Sequence, residues 1–540
     1  MKRFDYIVIG SGSAGSIVAA RLSEDADVSV LLLEAGRRDD HPFMAMPIAF
    51  PKVARSKPYI WPYETDPEPG LEGRKLPILR GRTLGGCSSI NAMINVRGSR
   101  FDYEGWRQQG LEGWGYSDVL PYFRKLESSW RGDSLYHGTD GPVGNVPVDR
   151  PECYFPELRQ AAINAGFPAC DDHNGETQDG ISRIEVTTNG GRRVSTARAY
   201  LHPAMKTRSN LTVMTGAQTT RVLTEGTRAT GVEFIRKGQR ETVQAEREVI
   251  VCAGTYSSPH LLMHSGIGPA DHLREIGIDV VRDLPGVGEN LQEHPNLLNI
   301  YRASGEIGLT RYLRLDRAAM AVMQWAVTGE GPFSTAGTVA NLFMRSRPDL
   351  IRPDVQIIIM PIHQHAELWV PGLTKPPVYA FTARVGILHA LSRGWVKLRS
   401  ANPLDLPRIR FNMFTDPADM PAMISAVRQS RAVFEQSPMR ELIAEELLPG
   451  AAAQSDAELE AAIRQQAEHR HHACGTCRMG IDDMAVVDAQ LRVHGFENLR
   501  VADASVMPDD PSGNTNVPTL MIGEKAADLI RGRTLEPATV

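Results

Sequence analysis

The chain of 540 residues exceeds the roughly 250–300 residues at which one hydrophobic core stops growing, so two domains are expected. Hydrophobic residues make up 42% and charged residues 23%, an ordinary balance for a globular protein. A net charge of -5, with both signs scattered, excludes a nucleic-acid footprint and a polybasic membrane patch.

No apolar run reaches the about 18 residues of a spanning helix. The opening MKRFDYIVIGSGSAG places Asp5 in an apolar stretch too short for a signal-peptide core, so a cytoplasmic location is the default expectation. The six cysteines are too sparse for a disulfide scaffold.

FDYIVIGSGSAGSIVAARLSEDADVSVLLLEAG (4–36) reads as strand, tight turn, helix, strand. Gly10, Gly12 and Gly15 form G-x-G-x-x-G at the strand-to-helix corner. One glycine allows the turn, one lets backbone N–H groups reach a pyrophosphate, and one lets helix and sheet pack closely. Ser11, Ser13 and Ala14 complete the phosphate loop at a helix N-terminus, where unpaired N–H groups favour anions. Glu34 follows Gly15 by 19 residues and ends the second strand, the place for a carboxylate on ribose hydroxyls, with Ala35 beside it. An acid there argues against a 2′-phosphate. No second G-x-G-x-x-G stands in a strand–helix setting, so one dinucleotide, FAD or NAD, is expected.

GRTLGGCSSINAMINVRGS (81–99) is a second backbone-rich turn through Gly85 and Gly86. With GTYSSPHLLMHSGIGP (254–269), LPGVGENLQEH (284–294) and VADASVMPDDPSGNTNVPTLMIGEKAADLI (501–530), it resembles the glucose–methanol–choline (GMC) oxidoreductase family, from residue 4 to about 530. The resemblance implies FAD rather than NAD. It also implies an α/β plus α+β fold: a Rossmann-like FAD-binding domain and a substrate domain built on an antiparallel sheet flanked by helices. The FAD domain would comprise 1–150, 190–300 and 466–540, and the substrate domain 300–465 with part of 150–190. RGWVKLRS (393–400) and DVQIIIMPI (354–362) look like strands of that second sheet, and PADMPAMISAVRQSRAVFEQS looks helical.

Carried over by position, Gly10, Gly12, Gly15 and Glu34 would hold the ADP half, and the backbone near Thr219 the adenine edge. Cys87, Asn91, Ala92 and Ile94 would line the pyrophosphate-to-flavin stretch, and Asp503 with Ala504 the ribityl and phosphate region. Relatives that bind FAD covalently use a histidine just before the match to Asn91; here that residue is Ile90, so the FAD is expected to be non-covalent.

HRHHACGTCRMG (469–480) taken alone admits a zinc site, a redox disulfide or a general base. Zinc lacks a second cysteine pair, and a disulfide reductase needs a nicotinamide site, so no metal is expected. The resemblance places His472 at the catalytic base and Asn516 as its hydrogen-bonding partner and a further cofactor contact. An imidazole can take the hydroxyl proton while hydride leaves for the flavin. Pro518 suits the start of the following helix, whose dipole would face the flavin.

The function implied is oxidation of a primary alcohol to an aldehyde, with dioxygen or a quinone-type acceptor. Choline-type dehydrogenation and a non-redox hydroxynitrile-lyase-like use of the fold are the alternatives. His363, His365 and Trp369 are candidates for the cavity mouth, and Glu367 beside Trp369 for a cation box. Substrate identity, oxidase against dehydrogenase, and oligomeric state are not legible in the sequence.

Overall fold

Strand β1 (Lys2–Ile9) ends in the buried run Tyr6–Ile9 in the computed structural model, which describes residues 2–540. Helix α1 (Gly15–Leu22) and strand β2 (Val30–Glu34) follow. Every residue of β2 is buried, as in a parallel strand covered on both faces. β1 pairs in parallel with β2, and β2 with β3 (Leu211–Thr215). β4 (Ala217–Glu225), β5 (Arg228–Arg236) and β6 (Gln239–Val251) form an antiparallel meander. β6 then lies parallel to β1, and β7 (Leu499–Val501) parallel to β6. The resulting order β3-β2-β1-β6-β5-β4 draws on widely separated parts of the chain. Helix α2 (Asn516–Ile530) returns to pack on α1. Gly523 permits the approach, since a Cβ there would lie 3.0 Å from Ala14 Cα.

The second large sheet is antiparallel. Its order is Ile443–Leu448, Pro295–Ala303, Ala380–Ile387, Val355–Met360, Ala340–Met344, Gly180–Arg183. Directly opposed residues share a face. One face carries Asn341, Ile358 and Arg384 in one rung, with Gln356 and Met360 on either side. The other face, with Ile357, Ile359, Ala383 and Val385, joins the core around Met423, Ala426 and Val427 of helix Asp419–Phe434. That two-sided burial explains why VQIIIM is apolar at every position but Gln356.

DVQIIIMPI and PADMPAMISAVRQSRAVFEQS thus form the expected strand and helix. RGWVKLRS does not join the second sheet: Trp395–Lys397 pairs with Arg408–Arg410 in a separate ribbon. Backbone bonds from Gly394 to Leu291 and from Val396 to Gly288 hold it away from the strands it was expected to extend. No helix among the described residues is long and apolar enough to cross a membrane.

Candidate active site

Between the two sheets runs a cavity of about 760 Å³, from Glu34 and Thr219 at one end to His472 and Arg384 at the other. That size suits a cofactor together with a small ligand, for which pockets span about 300–1,000 Å³. The glycine corner is shaped for close approach. Gly10 has φ +93°, and a Cβ on Gly15 would fall 2.0 Å from Gly10 O. A Cβ on Gly12 would meet nothing within 4 Å, so this glycine presents bare backbone to the cavity. Gly86 brings the second turn in, its missing Cβ 2.8 Å from Gly12 Cα.

Buried Glu34 accepts Ser11 N and Ser11 Oγ on one oxygen and Gly36 N on the other. Burial nevertheless raises its carboxyl pKa. At the same end Thr219 Oγ1 is buried without a partner among the described residues, a polar atom left for a bound group. The open glycine backbone, the acid and this orphaned hydroxyl fit a dinucleotide.

At the far end, edge strand Glu468–His469 pairs with Pro295 and Asn296 and delivers the histidine run into the cavity. His471 takes a left-handed φ of 63°, and Arg80 Nη1 donates to its carbonyl at 2.6 Å. Glu293 Oε1 accepts His472 N at 2.7 Å, while Glu293 Oε2 lies 3.1 Å from His469 Nδ1. Thr255 Oγ1 donates to Ala473 O. The imidazole of His472 is therefore held through its own backbone.

A hydrogen-bond relay sets its tautomer. Arg470 is always a donor, and its Nη1 reaches Gln356 Oε1 at 2.6 Å. Gln356 Nε2 must then face Asn341 Oδ1 at 3.1 Å and Asn514 Oδ1 at 3.4 Å. Asn514 consequently turns its Nδ2 to His472 Nε2, 3.0 Å away. Nε2 is thereby the acceptor, and the proton sits on Nδ1, 3.0 Å from His294 Nδ1. Burial, with His294 and the nearby arginines, pushes the His472 pKa well below its ordinary value. The neutral base form is favoured. A hydroxyl between Nε2 and Nδ2 could give its proton to the first and accept from the second.

Seventeen sequence candidates can be located against this geometry. Gly10, Gly12, Ser13, Ala14, Glu34, Ala35, Cys87, Asn91, Ala92, Ile94, Thr219, Asp503, Ala504, Asn516 and His472 all border the cavity. Ser11 and Gly15 do not: Ser11 clamps Glu34 from behind, and Gly15 serves the packing of α1 against the turn. Asn516 is not the partner of His472. Its Oδ1 accepts Ser13 Oγ at 2.8 Å from the first turn of α2, while Asn514, two residues earlier, meets the imidazole. The helix start at Asn516 turns the two amides apart. Asp503 spends its carboxylate on Gly254 N, Ser258 Oγ and Ser505 N.

Cys474 and Cys477 are buried free thiols, and Cys474 Sγ donates to Asp510. Glu367 is exposed, and neither it nor Trp369 borders the cavity, so they form no cation box there. The sequence reading missed Glu293, His294, Gln356 and Arg470. The first two sit inside LPGVGENLQEH, where an adjacent acid and histidine were the available signal. Gln356 carried none beyond being polar in an apolar strand.

Fold and site together define an α/β enzyme with a neutral histidine across the cavity from a glycine-rich turn shaped to fit a dinucleotide. The chain belongs to the GMC oxidoreductase family, whose N-terminal model matches residues 4–296 and whose C-terminal model matches 390–523. An oxygen-dependent choline dehydrogenase of Paraburkholderia phytofirmans is 44% identical over 538 residues, 98% of this chain and 94% of the relative. That of Burkholderia lata is 43% identical, with the same coverage. Pyridoxine 4-oxidase from Mesorbium loti superposes with TM-score 0.87 at 31% identity, over 98% of this chain and 100% of that one. Formate oxidase of Aspergillus oryzae gives 0.91 at 27%, over 98% of each.

Proposed function

We propose that this chain is an FAD-dependent oxidoreductase that converts a primary alcohol to an aldehyde, with dioxygen as acceptor. The observation that carries the reading is the pair His472 Nε2 and Asn514 Nδ2, 3.0 Å apart in the wall of a dinucleotide cavity. His472 Nε2 takes the hydroxyl proton, and Asn514 Nδ2 donates to the oxygen as negative charge develops there. The bound flavin supplies the hydride acceptor. Hydride and proton leave the alcohol, and reduction of dioxygen to hydrogen peroxide balances the electrons.

Gly10, Gly12, Ser13 and Ala14 would hold the pyrophosphate, Glu34 the ribose and the Thr219 segment the adenine. The unpaired N–H groups opening α2, with Asn516 and Thr519 at the cavity, favour negative charge there. The division into cofactor segments 1–150, 190–300 and 466–540 and a substrate segment 300–465 belongs to the same reading. Ile90 borders the cavity and has no nucleophile, which supports non-covalent FAD. Acid precipitation should release all flavin to the supernatant; flavin retained on the pellet would sink that part.

The activity of the oxygen-dependent choline dehydrogenases makes choline the second reading. The test is anaerobic mixing of holoenzyme with an alcohol panel, followed by air. Bleaching of the flavin's visible absorbance and its recovery in air are expected. A flavin that no alcohol bleaches would point instead to a non-redox, lyase-like use.

A further inference from the structure

Arg384 is a cation in the cavity wall to which neither the proton transfer nor the fold assigns a partner. It stands mid-strand, between Ile358 and Leu298, on the sheet face that borders the cavity. Among the described residues its guanidinium donates no hydrogen bond and forms no ion pair. Burial alone dominates its electrostatics, with Glu468 as the one opposing charge nearby.

The neighbouring cations are committed. Arg470 donates to Gln356 and Asn296. Arg80 donates to His471 O and lies 4.0 Å from Glu293 Oε2. The acids bordering the cavity are also engaged or distant. Glu34 is at the nucleotide end, Asp503 is bound by Gly254 and Ser258, and Asp405 by Ser400 and Asn402. That leaves half-buried Glu468, which does not reach Arg384.

Arg384 is half-buried with its guanidinium open to the cavity, and an arginine stays charged, so a ligand that covers it without supplying a partner would pay a desolvation cost. Thr338 Oγ1, in the same wall, is a buried polar atom without a partner among the described residues. Ile358 and Met360 make the surface between them apolar.

We propose that the substrate is a primary alcohol bearing a carboxylate remote from its hydroxyl, and that the Arg384 guanidinium binds that carboxylate. The planar fork of arginine matches a carboxylate bidentately. The apolar body of the substrate then lies along Ile358 and Met360. Choline, a cation, meets the wrong charge at this position. The hydroxyl end of the proposal rests on the function proposed above; the anion end is tested independently of it.

Benzoate and benzamide share a shape and differ in charge. Each is titrated into oxidised holoenzyme, and binding is read from the perturbation of the flavin spectrum. Benzoate should bind about tenfold or more tightly than benzamide, and Arg384→Met should weaken benzoate by about 10- to 100-fold with benzamide much less affected. Arg384→Gln serves as a second variant should the methionine form lose flavin. Equal binding of the two probes, or benzoate binding indifferent to both variants, overturns the proposal.

In turnover, 4-(hydroxymethyl)benzoate should exceed 4-methylbenzyl alcohol in kcat/KM by about tenfold or more, with choline below both. A preference for choline, lost in Glu468→Gln, also overturns it. If no alcohol reduces the flavin while benzoate still depends on Arg384, the oxidation reading fails and the anion site stands. If alcohols reduce it without regard to charge, the anion site alone fails.

Discussion

The base role proposed for His472 rests on surroundings that keep its imidazole neutral. Desolvation and nearby arginines disfavour the imidazolium, and the Arg470–Gln356–Asn514 relay directs a donor at Nε2. His472→Ala should cut the rate constant for anaerobic flavin reduction by about 10²–10⁴-fold with FAD retained. Near-normal reduction in stopped flow would remove the assignment. Asn514→Ala should cost about 10²–10³-fold, the range for losing one donor to a developing oxyanion. Asn516→Ala should cost far less in the same assay, because that amide answers to Ser13. A reversed ranking of the two variants would restore Asn516 to the partner role.

At the scale of elements, the cavity depends on pieces that glycine and buried charge bring together. In Gly15→Ala the new methyl would collide with the Gly10 carbonyl, 2.0 Å from its Cβ, and push α1 off the turn. Purified protein should then carry little flavin, measured as absorbance per polypeptide. Flavin content equal to wild type would show that the turn adapts.

A second brace lies behind the 91–97 segment. His137 sits 2.9 Å from Glu127 Oε2 and 2.8 Å from Asp172 Oδ2, and Arg97 Nη2 lies 2.6 Å from the same Glu127 oxygen. Burial works against the imidazolium, but hydrogen bonds to Asp172 and Glu127 outweigh it and push the His137 pKa up to about 9. A pKa raised on folding stabilises fully below the unfolded value of about 6.5 and is lost as pH rises through the folded value. His137→Gln should therefore lower the unfolding free energy by about 3–5 kcal/mol at pH 6, with the deficit shrinking towards pH 9. Urea titrations at the two pH values check this; a deficit growing with pH would contradict the charge pairing.

For the whole molecule, the cavity proposed to hold the cofactor lies between the two sheets and draws residues from segments hundreds of positions apart. A ligand that binds only the folded arrangement stabilises it by mass action, about 2.7 kcal/mol at a concentration 100 times Kd. Removing FAD should lower the thermal midpoint, and adding it back should raise the midpoint with concentration. An apo-protein as stable as the holoenzyme would mean that the cavity forms without regard to its occupant.

What the amino-acid sequence determined by itself was local: the strand–turn–helix corner, the spacing to Glu34, the buried strand VQIIIM, and His472 on its motif. The first three rest on glycine conformation, hydrophobic periodicity and short spacings, all of which act over a few residues, while His472 was singled out by the family resemblance of its motif. Tertiary structure alone decided that Asn514 rather than Asn516 meets the imidazole. The two amides are separated by one residue, and only the entry angle of α2 selects between them. It also decided the roles of Gln356, Arg470 and Arg384. Their meaning comes from opposed positions in an antiparallel sheet and from partners present or missing across it, relations that no stretch of the chain contains.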